Sequence, residues 1–389
     1  MGGTSVLEES SGDAVLTRVR QLAQAMAQER GERQRRRHLE PADFRKLADA
    51  GYLRTGVPEE QGGLWRGLQA SVRLYSDLIY TIARGDPSVA LVAAMHPTVL
   101  ASWLAADAAP DTYADVWAAQ RSFCFETALT GDWWGTITSE PGSGGDIMKT
   151  QAVAKPVARG GFQLSGDKHF GSGSGVAGFM ITTARVEGAA APTLFFLDVR
   201  KADWDGRGGM QLTSDWDGHG MSATQSHGFR FQDFPATAIA WPGAAQAGAA
   251  VTAQLAACLF TSVIVGIIDE AIATARRSLE PKREALRPYE QVEWTRVVNQ
   301  AWTIGQVREG MIGAVENDRG GVAAASRGKA VIAELSEACL SNLSRVIGGG
   351  SFSRTAPYGQ WAQDVRALGF LRPPWGLAFD QLYAMSWAD

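Results

Sequence analysis

Three side chains in this sequence are of types that move protons or hold anions, and each stands in or beside an apolar segment: His96 in AAMHPTVL, Glu126 in CFETAL and Arg372 in FLRPPWG. A histidine takes up and releases protons near pH 7. A carboxylate withdrawn from water becomes a base of useful strength. A guanidinium stabilises an anion and does not accept a proton. His169 and Asp380 are further candidate bases. Each has a plainer reading: His96 packs or caps just before Pro97, and strand alternation turns His169 away from the cleft. His219 and His227 serve loop packing, and Arg372 pairs at a helix end. The histidines show no HxxH or HxH spacing, so no metal site is expected. Cys124, Cys258 and Cys339 are far apart and form no CxxC, which argues against a disulfide framework or zinc site and for three small apolar packers.

Four small-residue segments bracket these candidates. Ser139–Asp146 reads SEPGSGGD, and Gly166–Gly175 reads GDKHFGSGSG after a short polar strand. Asp215–His227 reads DWDGHGMSATQSH, and Ile347–Phe352 reads IGGGSF. Glycines permit positive φ and close backbone approach, so such a run can aim several N–H groups at a phosphate or a ring edge. A bare turn gives the same composition. Neither a Walker loop nor GxGxxG is present. The thirteen tryptophans include Trp133, Trp134, Trp216 and Trp375 within or beside these segments, where they line an aromatic pocket or fill a core.

The elements that must position these loops fall into three parts. Val15, Val19, Leu22 and Met26 mark one helix face, with Asp13 a candidate cap, and PADFRKLADAGY forms a second helix from Pro41 to Gly51. Arg33–Arg37, RQRRR, reads as a solvated helix face. Helical patterns continue over 68–83 and 87–106. From Phe123 to Trp241 the texture changes to runs of four to seven residues rich in aromatics and threonine, the signal of short strands. Long helices return over 246–279, 291–317, 320–347 and 375–387. The expected architecture is therefore mostly α with a middle β domain: 1–122 helical, 123–243 β, 244–389 a helical bundle. A β unit inserted between two helical halves creates a cleft, a favoured place for ligands.

With 389 residues and a formal net charge of −4, the chain carries no global attraction for nucleic acid or anionic membrane. Phe234–Ile268 has no charged residue, but its strongly apolar part, Leu255–Ile268, is shorter than the ~20 residues a membrane span requires. It reads as a buried bundle helix. No signal peptide is recognisable at the N-terminus, and a cytoplasmic protein is expected.

Taken together, VPEEQGG, DPSVALVAAMH, ITSEPGSGGD, the GDKHFGSGSG hairpin and IGGGSF followed by QDVR resemble the acyl-CoA dehydrogenase superfamily over most of the chain. The resemblance implies an N-terminal helical domain, a central β-barrel-like domain and a C-terminal four-helix bundle. It implies bound FAD, or in a monooxygenase branch reduced FMN or FAD supplied by a reductase, and assembly as a homotetramer or homodimer. By position it sets Thr138, Ser139, Gly144 and Gly145 against the flavin ring and pyrophosphate. Phe170 packs on the isoalloxazine, and the Ser172 hydroxyl reaches flavin N5 and O4. Gly348 and Gly349 meet the pyrophosphate across a subunit boundary, and Arg283, or else Arg287, contributes to holding the diphosphate.

The departures from the family pattern bear on the reaction. Ser139 replaces a threonine, Gly145 a serine, and Arg345 a glutamine. The family's glutamate base is absent from both places where it is expected. One place holds Arg372, and the other, LAACLFTSVIVG, has no acid. Glu270, further along the same helix, reads as structural. The first functional expectation is α,β-dehydrogenation of an acyl thioester with hydride transfer to FAD N5, an electron-transfer flavoprotein being the partner. The alternative is a two-component monooxygenase using reduced flavin and O2 on a small aromatic, amine or sulfur substrate. A third reading is a flavin-free scaffold that binds a partner.

Overall fold

The computed structural model describes residues 11–158, 160–371 and 374–387. Ser11 caps the first helix, α1 (Gly12–Gln28), its hydroxyl accepting from Ala14 N, so Asp13 lies in the first turn instead of capping it. Two apolar helices follow α2 (Pro41–Asp49): α3 (Leu68–Gly85) and α4 (Pro87–Leu104). Asp86 caps α4 through Ser88 N and Val89 N, and Pro87 occupies the first helical position, where its missing N–H costs nothing. The next helix, α5 (Ala114–Leu129), runs past the texture change at Phe123, and the first strand begins only at Trp133. Phe123 still belongs to the β side by packing, since its ring stacks on Phe196.

Among the described residues seven strands follow: β1 (Trp133–Thr136), β2 (Val153–Pro156), β3 (Phe162–Gly171), β4 (Ala177–Ala184), β5 (Thr193–Asp198), β6 (Met210–Ser214) and β7 (His227–Ala238). Their order is β1-β4-β5-β7-β3-β2, with β6 also on β7. Bonds from Ala154 N to Arg185 O and from Arg185 N to Ala152 O tie β2 back to the end of β4, so the sheet curls into a barrel-like unit. Alternation divides two strands between two cores. Phe179 of β4 and Phe196 of β5 face the helices, whereas Met180, Phe195 and Leu197 face the β interior.

The helical remainder is α6 (Ala249–Leu279), α7 (Pro288–Glu316), α8 (Gly321–Ile347), α9 (Tyr358–Gly369) and α10 (Trp375–Ser386). α6 is central: it packs on α3 and α4 as well as on α7, α8 and α9, and one core joins the first and last helical parts. Both α4 and the helix containing Leu255–Ile268 are long and apolar enough to cross a membrane, contrary to the expected shortness of the second. Of their apolar windows 83% and 78% is buried within the protein.

The arginine run corrects a further expectation. Arg33 is buried, bridging Asp43 at 2.7 Å, Asp86 at 3.1 Å and Glu29 at 2.9 Å. It ties α2 to the cap of α4, and of the run Arg35 and Arg37 are the exposed residues that follow the solvated reading.

Candidate functional site

The SEPGSGGD loop is fastened to the β unit by a buried ion pair that pattern reading did not single out. Lys168 of β3 is fully buried and donates to Glu140 Oε1 at 2.5 Å, Thr183 O at 2.6 Å and Thr150 Oγ1 at 3.1 Å. Glu140 also accepts from the Thr150 hydroxyl, from Gln151 N at 2.5 Å and from Ala152 N at 3.3 Å. Burial pushes its carboxyl up, but the bonds from Lys168, Thr150 and Gln151 outweigh it and hold the group below its usual range. The alternation signal for this pin was present: Lys168 lies at an inward position of β3, where an unpaired lysine is not tolerated.

From this anchor the loop runs along β3, and His169 N donates to Ser139 O at 2.8 Å. Thr138 is buried beside it. Gly142, Gly144 and Gly145 take φ of 77°, 62° and 81°, and a Cβ on Gly142 or Gly144 would meet nothing within 4 Å. The loop thus opens outward at two left-handed glycines. Gly145 is different: Pro374, just before α10, approaches so closely that a Cβ there would stand 2.5 Å from its ring.

A register shift between Lys168 and Gly171 on the β3–β7 pair turns Phe170 out of the sheet. Phe170 has φ of 58° and is 58% exposed, an unusual state for a large aromatic. Trp216 stands edge-on to it, ring centroids 6.0 Å apart. Among the described residues five non-glycines have positive φ, and Phe170, Met221 and Gln225 of this neighbourhood are three of them. Strain of this kind concentrates at ligand sites.

Segment 215–227 forms the adjoining wall. Ser172, Ser226 and Thr224 are buried and joined hydroxyl to hydroxyl, with Oγ distances of 2.7 Å at each link. Thr224 Oγ1 then donates to Met221 O at 2.8 Å. Asp364 of α9 accepts from Met221 N at 2.7 Å and from Gln360 at 2.8 Å, which docks this wall on the helical bundle. Burial drives the Asp364 carboxyl up to about 7 against those two bonds.

Thr138, Ser139, Gly144, Gly145, Phe170 and Ser172 therefore share one region. Gly348 and Gly349 end α8 in a separate exposed turn, where a Cβ on either meets nothing within 4 Å. Arg283 is elsewhere, at the far end of α6, paired with Glu284 at 3.0 Å and Glu280 at 3.7 Å. Arg287 caps α7 with Glu290. Neither arginine is brought to the hairpin within this chain.

His96 does not serve as a proton shuttle here. It is fully buried, its Nε2–H donates to Leu53 O at 2.9 Å, and its Nδ1 accepts from Trp134 N at 3.2 Å. With both nitrogens committed, burial lowers its pKa to about 4 despite the Leu53 carbonyl. Glu126 and Asp380 lie on exposed helix faces. His227 Nδ1 accepts from Trp216 N at 3.0 Å, and Asp215 Oδ1 stands 3.0 Å from the same nitrogen. Arg372 lies outside the described residues. Glu270 is structural, being buried against Arg30 at 3.1 Å and against Arg84 and Arg277 at 3.2 Å. Trp133 and Trp134 are core residues, the first stacked on Tyr52 and the second on Phe179.

A helical–β–helical chain with a glycine loop and an out-turned aromatic on its central barrel has the acyl-CoA dehydrogenase fold, and residues 10–120 match the acyl-CoA dehydrogenase N-terminal domain family. Among curated proteins the chain is similar to a dibenzothiophene monooxygenase of Mycolicibacterium goodii, 26% identical over an alignment of 281 residues that covers 66% of this chain and 60% of that protein. The match thus spans about three-fifths of that relative's length. The solved structure of an FMN-bound dibenzothiophene monooxygenase from Paenibacillus sp. A11-2 superposes with a TM-score of 0.80 at 18% identity, covering 96% of this chain and 97% of that one. Butyryl-CoA dehydrogenase from Megasphaera elsdenii superposes equally, with a TM-score of 0.80 at 16% identity over 97% and 98% of the two chains. Fold alone therefore does not choose between oxygenation and dehydrogenation.

Proposed function

We propose that this chain is a flavin-dependent monooxygenase that receives reduced FMN or FAD from a separate reductase and acts with O2 on a small aromatic, amine or sulfur compound. The observation that carries this reading over acyl thioester dehydrogenation is the missing base. The stretch Leu255–Ile268 of α6 holds no acid; Asp269, which follows it, is committed to the Tyr80 hydroxyl at 2.7 Å, and Glu270 is bound by three arginines. Removing an α-proton requires a carboxylate that is desolvated and uncommitted. Sequence similarity to a dibenzothiophene monooxygenase supports the same choice.

The residues present fit a flavin. Gly142 and Gly144 leave open space beside left-handed backbone, and Phe170 offers an exposed ring in strained backbone. In this reading the loop at 138–145 and Ser172 hold the ring system, and Phe170 packs on it. When bound, the flavin supplies the electrons and the oxygen activation. The chain's own groups orient it, and the Phe170–Trp216 pair gives the cleft an apolar wall that excludes water. Gly348 and Gly349 reach a flavin only from a second subunit, so a homodimer or homotetramer belongs to the proposal. The exposed Tyr289, Val292 and Trp302 of α7 support such assembly.

Anaerobic titration with oxidised and reduced FMN and FAD, followed by absorbance, tests the reading. Preferential uptake of reduced flavin is expected, together with conversion of dibenzothiophene to an oxygenated product when a flavin reductase, NADH and O2 are added. Bleaching of protein-bound FAD by butyryl-CoA would restore the dehydrogenase reading. Failure to bind flavin in either state would leave the scaffold.

A further inference from the structure

The buried chain Ser172–Ser226–Thr224 has a direction that can be worked out proton by proton. Each hydroxyl has one hydrogen to donate. A carbonyl oxygen has none, so the 2.8 Å contact between Thr224 Oγ1 and Met221 O uses the Thr224 proton. Thr224 Oγ1 must then accept across its 2.7 Å contact with Ser226, which uses the Ser226 proton. Ser226 Oγ must in turn accept across its 2.7 Å contact with Ser172, which uses the Ser172 proton. The far end is well fixed: Met221 O also receives Trp216 Nε1–H at 2.9 Å, and Met221 N is held by Asp364. All three hydroxyl residues are at most 7% exposed, so water does not compete for these protons.

We infer that Thr224 and Ser226 are positioning residues that hold the Ser172 proton inward, leaving Ser172 an acceptor only and making the site select reduced over oxidised flavin. The inference rests on the flavin reading above, in which Ser172 faces N5 and O4 of the ring. In the oxidised ring both atoms are acceptors and clash electrostatically with an acceptor oxygen. In the reduced ring N5 carries a hydrogen, which Ser172 Oγ is set to receive. Selectivity for the redox state is thus built into a segment over fifty residues away in sequence, and it matches an enzyme that takes its flavin already reduced.

The test is the ratio of Kd for oxidised FMN to Kd for reduced FMN, measured anaerobically on the full chain by absorbance and fluorescence. In Thr224→Val the Ser226 proton loses its acceptor, the Ser172 proton is released to turn outward, and the ratio is expected to fall about tenfold, the order of one hydrogen bond. Ser226→Ala is expected to do the same. Thr224→Ser, which restores the hydroxyl, is expected to keep the wild-type ratio, a rescue that simple loosening of the loop would not give. On a Ser172→Ala background, Thr224→Val is expected to change the ratio no further. If Thr224→Val does not fold by circular dichroism, Ser226→Ala gives the same readout from the middle of the chain. Flavin binding with an unchanged ratio in the variants overturns the inference and leaves the flavin reading standing. No binding of either redox form by the wild type overturns both.

Discussion

Replacing Lys168 by methionine tests whether the Glu140–Lys168 pair holds the glycine loop in place. Methionine keeps most of the side chain's length and removes the charge. Three bonds from Nζ are lost, at 2.5, 2.6 and 3.1 Å, and Glu140 is left as a buried carboxylate. Removing one partner of a buried pair costs about 3–5 kcal/mol. The low end, about 3 kcal/mol, is expected because Glu140 keeps the Thr150 hydroxyl, Gln151 N and Ala152 N. At roughly 2–4 °C per kcal/mol, the thermal transition of the β unit falls by about 6–12 °C. The deficit depends on pH. In the wild type the Glu140 pKa is held below its ordinary value, so its contribution is complete above that value and lost as pH falls through the folded pKa. In the variant burial dominates, the pKa rises, and the penalty grows as pH rises through it. The wild-type loss lies below the ordinary carboxylate value of 4.5, so between pH 5 and pH 8 the gap widens through the raised pKa of the variant. Calorimetry of both proteins at the two pH values is the assay, with Glu140→Gln/Lys168→Met expected to recover part of the loss. A fall under about 2 °C, or a gap that does not change with pH, would refute the reasoning.

Three further outcomes follow from the same geometry. Gly144→Ala finds open space but an unfavourable φ of 62°, so the chain folds with a cost of about 1 kcal/mol while flavin affinity drops in titration. The His96 ring stays neutral down to about pH 4, so its NMR signals show no titration between pH 8 and pH 5. Its folded pKa lies below the unfolded value of ~6.5, so its share of stability is lost as pH falls from about 6.5 to about 4. Asp364→Asn removes a group whose folded pKa is raised by burial to about 7 from 3.8. Wild-type stability relative to this variant is expected to decline as pH rises across that window in denaturant melts, because the folded state favours the protonated carboxyl.

Much of the architecture was legible along the chain. Val15, Val19 and Met26 define a buried helix face, and all three are fully or almost fully buried. The alternation of Phe179, Met180, Phe195 and Phe196 announced strands, yet it could not say that two different cores receive the alternate faces. The glycine loops were visible because few residues other than glycine adopt their backbone. The helix Tyr358–Gly369 is masked in the sequence by residues that carry a motif, and the helix through Leu129 by the aromatic texture that begins at Phe123.

Residue types and local spacing by themselves determined the helical–β–helical order, the small-residue loops and the lack of a carboxylate where a base is expected. They acted through backbone preference and burial, both short-range effects. Tertiary structure alone decided the partners. It buried His96 between Leu53 and Trp134, drew Arg33 inward onto Asp43 and Asp86, and set Lys168 on Glu140. It also brought Ser172 to Ser226, fifty-four residues on, through the pairing of β3 with β7 and the bulge before Gly171. Periodicity reports which face of an element is hidden, but a buried polar group takes its role from the atom it meets, and chain topology supplies that atom.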